Sequence, residues 1–221
     1  MKNYKLVIFD VDGTLLDTTE GVLSSVKYTI QKHNLSPLPE EDLRTFIGPP
    51  IQKSFEKFYG LNEEKVQVLA ETFRNRYKNF DLLKAVPYGE IYTVLEYLKE
   101  HHIKIAVATY KRQDYAVSLL KYYHFDDYTS ILYGADNYNK LRKRDIIQKC
   151  IIDSEIRDYS TVLMVGDSEN DAVGAAEIGV DFLGVTYGFG FKTKEDVTEY
   201  PYVGYAAAPI NIIEHFNKGE I

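Results

Sequence analysis

Two aspartates, Asp10 and Asp12, follow the apolar run Leu6-Val7-Ile8-Phe9 at alternate positions, with Gly13 directly after them. The run reads as a short strand buried on both faces, and Gly13 lets the backbone turn sharply. Two carboxylates crowded at a strand end repel, so a cation is needed to keep both ionised. This arrangement suits phosphoryl transfer to a carboxylate. Asp10, last on its strand and rigidly held, is the natural nucleophile for an aspartyl-phosphate. Asp12 is within reach to protonate the leaving alcohol and later take a proton from the attacking water.

Three further strand ends carry polar residues that do not belong in a core. The strand 103–108 ends in Thr109, with Lys111 and Arg112 beyond. The strand 161–165 runs into Gly166-Asp167-Ser168-Glu169-Asn170-Asp171, and 182–186 leads into Tyr187-Gly188-Phe189-Gly190. In a parallel sheet all four ends open on one edge, where their side chains can converge on a pocket. Asp10 and Asp167 offer hard oxygen ligands for Mg²⁺, with waters completing an octahedron. Such a metal screens the nucleophile from the phosphate dianion and stabilises the transition state. Thr109, with backbone N–H groups at the start of the next helix, can hold phosphate oxygens.

A cationic side chain should oppose this acid cluster, and Lys140, Arg142, Lys143 and Arg144 are the candidates. Lys143 precedes Ile146 and Ile147 by three and four residues and so shares the buried face of its helix. Arg142 and Arg144 turn about 100° to either side, toward water. Lys140 falls in the loop and remains an alternative to Lys143.

The elements that position these groups follow from periodicity. Val22, Val26 and Ile30 recur at helical spacing, with Asp17, Thr18 and Thr19 as candidate N-caps. Ser36-Pro37-Leu38-Pro39 breaks that helix, Glu40-Glu41-Asp42 opens a short one, and Phe46-Ile47-Gly48-Pro49-Pro50 interrupts again. Helical stretches cover 51–59 and 63–80, and no convincing strand falls between 17 and 84. From Val86 the chain alternates: helix 90–101, strand 103–108, helix 113–123, strand 130–133, helix 143–152, strand 161–165, helix 170–178, strand 182–186 and helix 210–217. This predicts an α/β fold, a doubly wound parallel sheet of Rossmann type with right-handed crossovers and an all-helical insertion. Residues 1–16 and 85–221 form the core, and 17–84 form the helical cap.

Composition bounds the function. The 221 residues are 45% hydrophobic, enough for a sizeable core. A formal charge of −7 argues against a nucleic-acid polymer or an anionic membrane as partner. It does not exclude a phosphorylated metabolite, because local positive charge and a metal outweigh the global sign. One cysteine, Cys150, excludes internal disulfides and Cys-rich zinc sites and fits a reducing compartment. No apolar run approaches membrane-spanning length, and the N-terminus carries no signal-peptide pattern. A cytoplasmic location, as a monomer or homodimer, is the expectation.

Four segments in order, Phe9-Asp10-Val11-Asp12-Gly13-Thr14, Thr109, the lysine near 143, and Gly166-Asp167-Ser168-Glu169-Asn170-Asp171, resemble the motifs of the haloacid dehalogenase superfamily of Mg²⁺-dependent phosphohydrolases. The resemblance covers nearly the whole chain. It implies Asp10 as nucleophile, Asp12 as acid and base, and a metal held by Asp10, the Asp12 carbonyl and Asp167. It implies that Asp171 orients metal-bound water and Lys143, beside Ser168. Gly13, Thr14, Thr109, Tyr110, Lys143 and, in the insertion, Gly48 become candidate substrate contacts.

Departures narrow the branch. Dehalogenases lack the second aspartate that is present here as Asp12. The β-phosphoglucomutase group carries a cap histidine where this chain has Val22, which disfavours a phosphomutase. The phosphonate-hydrolysing group uses a cap lysine, whereas Lys27 and Lys32 form a polar helix face. A Gly-Lys-Pro third motif is replaced by Asn139-Lys140-Leu141-Arg142-Lys143. What remains is similar to the phosphoglycolate phosphatase branch, with members that act as 5′-nucleotidases, and the segment 184–190 resembles the same branch. The non-enzymatic alternative is a phosphate-binding regulatory protein, against which the intact set Asp10, Asp12, Thr109, Lys143 and Asp167 argues. Cap aromatics Phe46, Phe55 and Tyr59 are more plausible as core than as base-stacking platforms, and the five histidines have no metal-ligand spacing.

Overall fold

The computed structural model describes residues 3–136 and 140–217. The fold is α/β: β1 (Leu6–Phe9), β4 (Lys104–Arg112), β5 (Leu132–Ala135), β6 (Val162–Gly166), β7 (Asp181–Val185) and β8 (Gly204–Ala206) form one six-stranded sheet. Its order is β5-β4-β1-β6-β7-β8, and every pairing is parallel. The order turns about β1, which pairs with β4 on one side and β6 on the other (Phe9 with Val107, and Phe9 with Val165). That is the switch point at which such sheets leave room for a ligand.

All four residues of β1 are fully buried, as expected for a strand with helices over both faces. Leu6 and Ile8 point into a layer with Ile146, Ile147, Cys150 and Ile151 of α7 (Lys143–Asp153) and Ala172 and Ala175 of α8 (Glu169–Ile178). The pleat turns Val7 and Phe9 to the other face. The buried stripe Ile91, Val94, Leu95, Leu98 of α5 (Ile91–Glu100) and that of α6 (Gln113–Tyr122) belong to the elements packed on β4 and β5. A short helix, α9 (Lys194–Thr198), and α10 (Asn211–Asn217) complete the core.

The chain forms two compact units, Met1–Leu16 with Pro87–Ile221, and Asp17–Val86. The return crossing falls after Val86, where the sequence reading put it after Lys84. The two crossings, β2 (Leu16–Asp17) and β3 (Val86–Pro87), pair as a two-stranded sheet, so strand structure does reach Asp17. Two-residue strands carry no periodicity to read.

The second unit is helical: α1 (Thr19–Lys32), α2 (Glu40–Arg44), α3 (Ile51–Tyr59) and α4 (Glu63–Arg76). The Thr19 N–H is bonded by the Asp17 carboxylate at 2.9 Å, while the Thr18 side chain makes no cap bond. The expected helix 63–80 is not α-helical throughout: a π-helical turn occupies Tyr77–Asp81. It carries Asp81 into the interior, where it accepts from Ser25 Oγ (2.9 Å) and Arg76 Nε (2.8 Å) and pairs with Lys84 Nζ (3.0 Å). Phe46 and Phe55 are buried and packed edge to face at 5.2 Å, and Phe58 stacks on Phe46. They are the core of this unit.

Three strand limits differ from the periodicity. Strand β4 runs on through Thr109 to Arg112 instead of ending at Ala108, with a register irregularity against β5 between Ala108 and Arg112. Strand β5 sits two residues later than expected, and β8 and α9 were not anticipated because each is shorter than one period of a reliable pattern. Asn139 lies outside the described residues.

Candidate active site

Asp10 leaves β1 with its N–H on the Val165 carbonyl (3.0 Å), so the ladder with β6 continues through it. The next residues coil into a tight knot: the N–H groups of Leu15 and Leu16 both reach the Val11 carbonyl at 3.0 Å. Gly13 makes the knot possible. Its φ is +84°, and any Cβ there would collide with Asp167 Oδ2.

Four aspartates stand at this edge. Asp10, Asp167 and Asp171 are buried, and each offers a carboxylate oxygen within 4.8 Å of the others. The amides of Phe189 and Gly190 donate to Asp167 Oδ2 at 2.6 and 3.0 Å. The Phe191 N–H donates to the Asp167 carbonyl at 2.7 Å. The turn after β7 therefore clamps the aspartate at the end of β6. Asp171, third residue of α8, accepts from the Ser168 N–H (3.1 Å) and Oγ (2.6 Å) in a capping box. A Cβ on Gly166 would overlap Asp171. The strand-to-helix turn is thus built tightly around the carboxylate.

Two ammonium groups face the four acids. Lys143, the first residue of α7, is 3% exposed, and its Nζ is 2.6 Å from both Asp10 Oδ1 and Asp171 Oδ1. Its N–H donates to the Tyr110 hydroxyl at 2.8 Å, and its Nζ lies 5.7 Å from the Tyr110 ring centroid. Lys140 is exposed, its N–H on the Asp136 carboxylate. Arg142 and Arg144 engage Asp145 and Glu177 at the surface. Of the four basic candidates, Lys143 is the one beside Asp10.

The second ammonium is Lys111, whose Nζ lies 3.0 Å from Asp12 Oδ1. The sequence reading noted this lysine without giving it a role. The signal was adjacency: Lys111 follows Thr109 by two residues at the end of β4, the strand that pairs with β1. Thr109 is buried, and its Oγ1 accepts the Lys111 N–H at 3.1 Å. Thr14 is fully buried too; its carbonyl accepts the Tyr187 hydroxyl at 3.0 Å, and its own Oγ1 has no partner among the described residues. Tyr187, packed on Tyr88 at 4.8 Å, is a second residue that the sequence reading left without a role. Gly48 belongs to the helical unit, at a turn with φ +100° before α3.

Burial and mutual repulsion make this cluster costly to ionise. Burial pushes Asp10 up to about 8; the charge of Lys143 opposes this, and the carboxylates of Asp171, Asp167 and Asp12 add to it. Burial and the Asp171 charge push Asp167 up to about 6, against the pull of the Gly190 and Phe189 amides. Burial opposes the charge on Lys143, yet Asp10 and Asp171 outweigh it and hold its pKa above that of an ordinary lysine. With all four carboxylates ionised, Asp10, Asp12, Asp167 and Asp171 against Lys111 and Lys143 would leave two negative charges, the complement of one divalent cation. The donor set is all oxygen, the set a hard cation selects. Asp171 is held by Lys143 and Ser168, while Asp10 and Asp167 each offer a carboxylate oxygen to the cluster.

The comparisons agree with this architecture. A family described as haloacid dehalogenase-like hydrolase matches residues 7–185. A 5′-nucleotidase of Pseudomonas aeruginosa is 31% identical over 192 residues, 86% of this chain and 86% of that protein. A phosphoglycolate phosphatase of Agrobacterium fabrum is 31% identical over 191 residues, covering 83% and 81%. The crystal structure of a predicted phosphatase from Clostridium acetobutylicum superposes with a TM-score of 0.86 at 29% identity, covering 97% and 99%.

Proposed function

The chain belongs to the haloacid dehalogenase-like hydrolases, and on that premise we propose that it is a Mg²⁺-dependent phosphomonoesterase working through a phosphorylated Asp10. The observation that carries this reading is the buried Asp10 at the sheet's switch point, paired to Lys143 and sharing a 4.8 Å cluster with Asp167 and Asp171. A buried carboxylate held by one lysine, among acids that demand a cation, is a nucleophile prepared to meet a phosphate.

The Asp10 carboxylate attacks phosphorus, the bond to the ester oxygen breaks, and Asp12 gives its proton to the departing alkoxide. Water then attacks the acyl phosphate, Asp12 takes the water proton, and inorganic phosphate leaves with the Asp10 carboxylate restored. Thr109 and Lys143 hold the phosphoryl oxygens. Asp10, the Asp12 carbonyl and Asp167 would hold Mg²⁺, with Asp171 keeping Lys143 and metal-bound water oriented. When bound, Mg²⁺ supplies the charge that offsets the incoming dianion.

The substrate class is a small phosphorylated metabolite. The named activities of the two relatives make phosphoglycolate and nucleoside 5′-monophosphates the first candidates. No helix among the described residues is long and apolar enough to cross a membrane, which accords with a metabolite in solution; we place the enzyme in the cytoplasm.

The test is phosphate release by the purified protein from phosphoglycolate, nucleoside 5′-monophosphates and sugar phosphates, with Mg²⁺ and with EDTA. Release that needs Mg²⁺ is expected. No release from any ester, or regeneration of a sugar bisphosphate in place of free phosphate, overturns the reading.

A further inference from the structure

Beyond the four motifs, Lys111 stands inside the site and is assigned nothing by them. Its side chain is 7% exposed, an unusual position for a lysine that is not paired. Its Nζ lies 3.0 Å from Asp12 Oδ1, and its N–H is tied to the Thr109 hydroxyl. The site therefore has two ammonium groups, each facing its own carboxylates. Lys143 serves Asp10 and Asp171, and Lys111 serves Asp12. The Lys111 N–H ties its backbone to the hydroxyl of Thr109, the residue expected to hold the phosphate.

We propose that Lys111 is a positioning residue that sets the Asp12 carboxylate for proton transfer to the leaving group. This rests on the phosphomonoesterase reading above. The 3.0 Å contact with a buried ammonium limits the orientations that the Asp12 carboxylate can take, and orientation of a proton-transfer group speeds the chemistry. Without Lys111, the aspartate loses the ammonium 3.0 Å from its Oδ1 and the orientation which that contact imposes.

The discriminating measurement is leaving-group dependence. An alkyl alcohol is a poor leaving group that needs its proton, whereas p-nitrophenolate departs readily without one. In kcat/KM, Lys111→Met should lose about 100-fold on the better of phosphoglycolate and AMP, the lower end of the range of positioned acid–base catalysis. On p-nitrophenyl phosphate it should lose less than about 5-fold, and Lys111→Arg should recover most of the alkyl-ester rate, since the charge is kept. Equal losses on both esters overturn the role and make Lys111 a phosphate contact or a structural ion pair. If Lys111→Met does not fold by thermal unfolding, Lys111→Gln is read with the same two esters. Wild-type protein that releases phosphate from neither ester overturns the phosphomonoesterase reading itself, and the proposal with it.

Discussion

Lys143 Nζ stands 2.6 Å from Asp10 Oδ1 across 133 residues of sequence, and it bridges Asp10 to Asp171. Removing one member of a buried pair leaves the other charge uncompensated, at about 3–5 kcal/mol. Lys143→Ala should therefore lower the unfolding midpoint measurably and cut phosphate release by at least about 100-fold, a loss of about 3 kcal/mol of transition-state stabilisation. Lys140→Ala, at an exposed position, should leave both near wild type. The reverse order in the two assays would move the role to Lys140.

Asp10→Asn separates nucleophile from scaffold. The amide keeps the shape but cannot form the acyl phosphate. Turnover should fall below about 10⁻³ of wild type, while near-native circular dichroism shows the fold retained, since the substitution also removes a carboxylate from a repulsive cluster. Wild-type rates in a folded variant would sink the nucleophile assignment.

The metal can be read without turnover. Because burial and neighbouring acids push Asp10 and Asp167 up, Mg²⁺ at about 100 times its dissociation constant should raise the unfolding midpoint by about 5–10 °C. Gly13→Ala should abolish that rise and cost a further ~1–3 kcal/mol, because its +84° φ disfavours a side chain and the new methyl displaces Asp167. A full Mg²⁺ shift in Gly13→Ala would show that Asp167 is not a ligand.

Much of this was readable from sequence because the elements that carry it are long or repeated. Leu6–Phe9 is apolar at every position, and Lys143, Ile146, Ile147 and Cys150 mark one helix face, so pattern put Asp10 at a strand end and Lys143 on a buried face, with Lys140 left as the alternative. Lys111 carried no role in the sequence because the apolar run stops at Ala108; β4 continues four residues farther, through Lys111 to Arg112. The clamp on Asp167 was hidden for a different reason. It is made by the amides of Phe189 and Gly190, which have no side-chain signature. The partners of Asp81 were equally invisible, since a π-helical turn, not a 3.6-residue period, brings it to Ser25.

The helical unit should lose stability in acid through that same Asp81. Burial alone would raise its carboxyl, but hydrogen bonds from Arg76, Lys84 and Ser25 outweigh this and hold it below the ordinary aspartate value. Its contribution is therefore full above the unfolded-state value of about pH 4 and is lost as pH falls below that value, through the depressed folded one. Asp81→Asn should cost about 1–3 kcal/mol at pH 7, the worth of hydrogen bonds to a charged group, and progressively less below pH 4. A cost that does not change with pH, measured by denaturant unfolding, would refute the assignment.

Cys150 is a natural reporter of core opening. Burial raises its thiol to about 12, and its Sγ sits 3.3 Å from the Val107 carbonyl beneath the sheet. Dithionitrobenzoate should leave it unmodified in the native protein and label it within seconds in guanidinium. Rapid labelling under native conditions would mean that α7 separates from β4.

Strand β1 holds the centre of the sheet yet is made first. Its two neighbours, β4 and β6, are supplied from far downstream, while α1 through α4 find their partners within one contiguous stretch. On the ribosome, at about 5–20 residues per second, the helical stretch can fold while the nucleophile's strand still waits unpaired. The nascent chain therefore carries no acid cluster until β6 and α8 emerge. The four-aspartate site can be assembled only late in synthesis, after α8 has emerged.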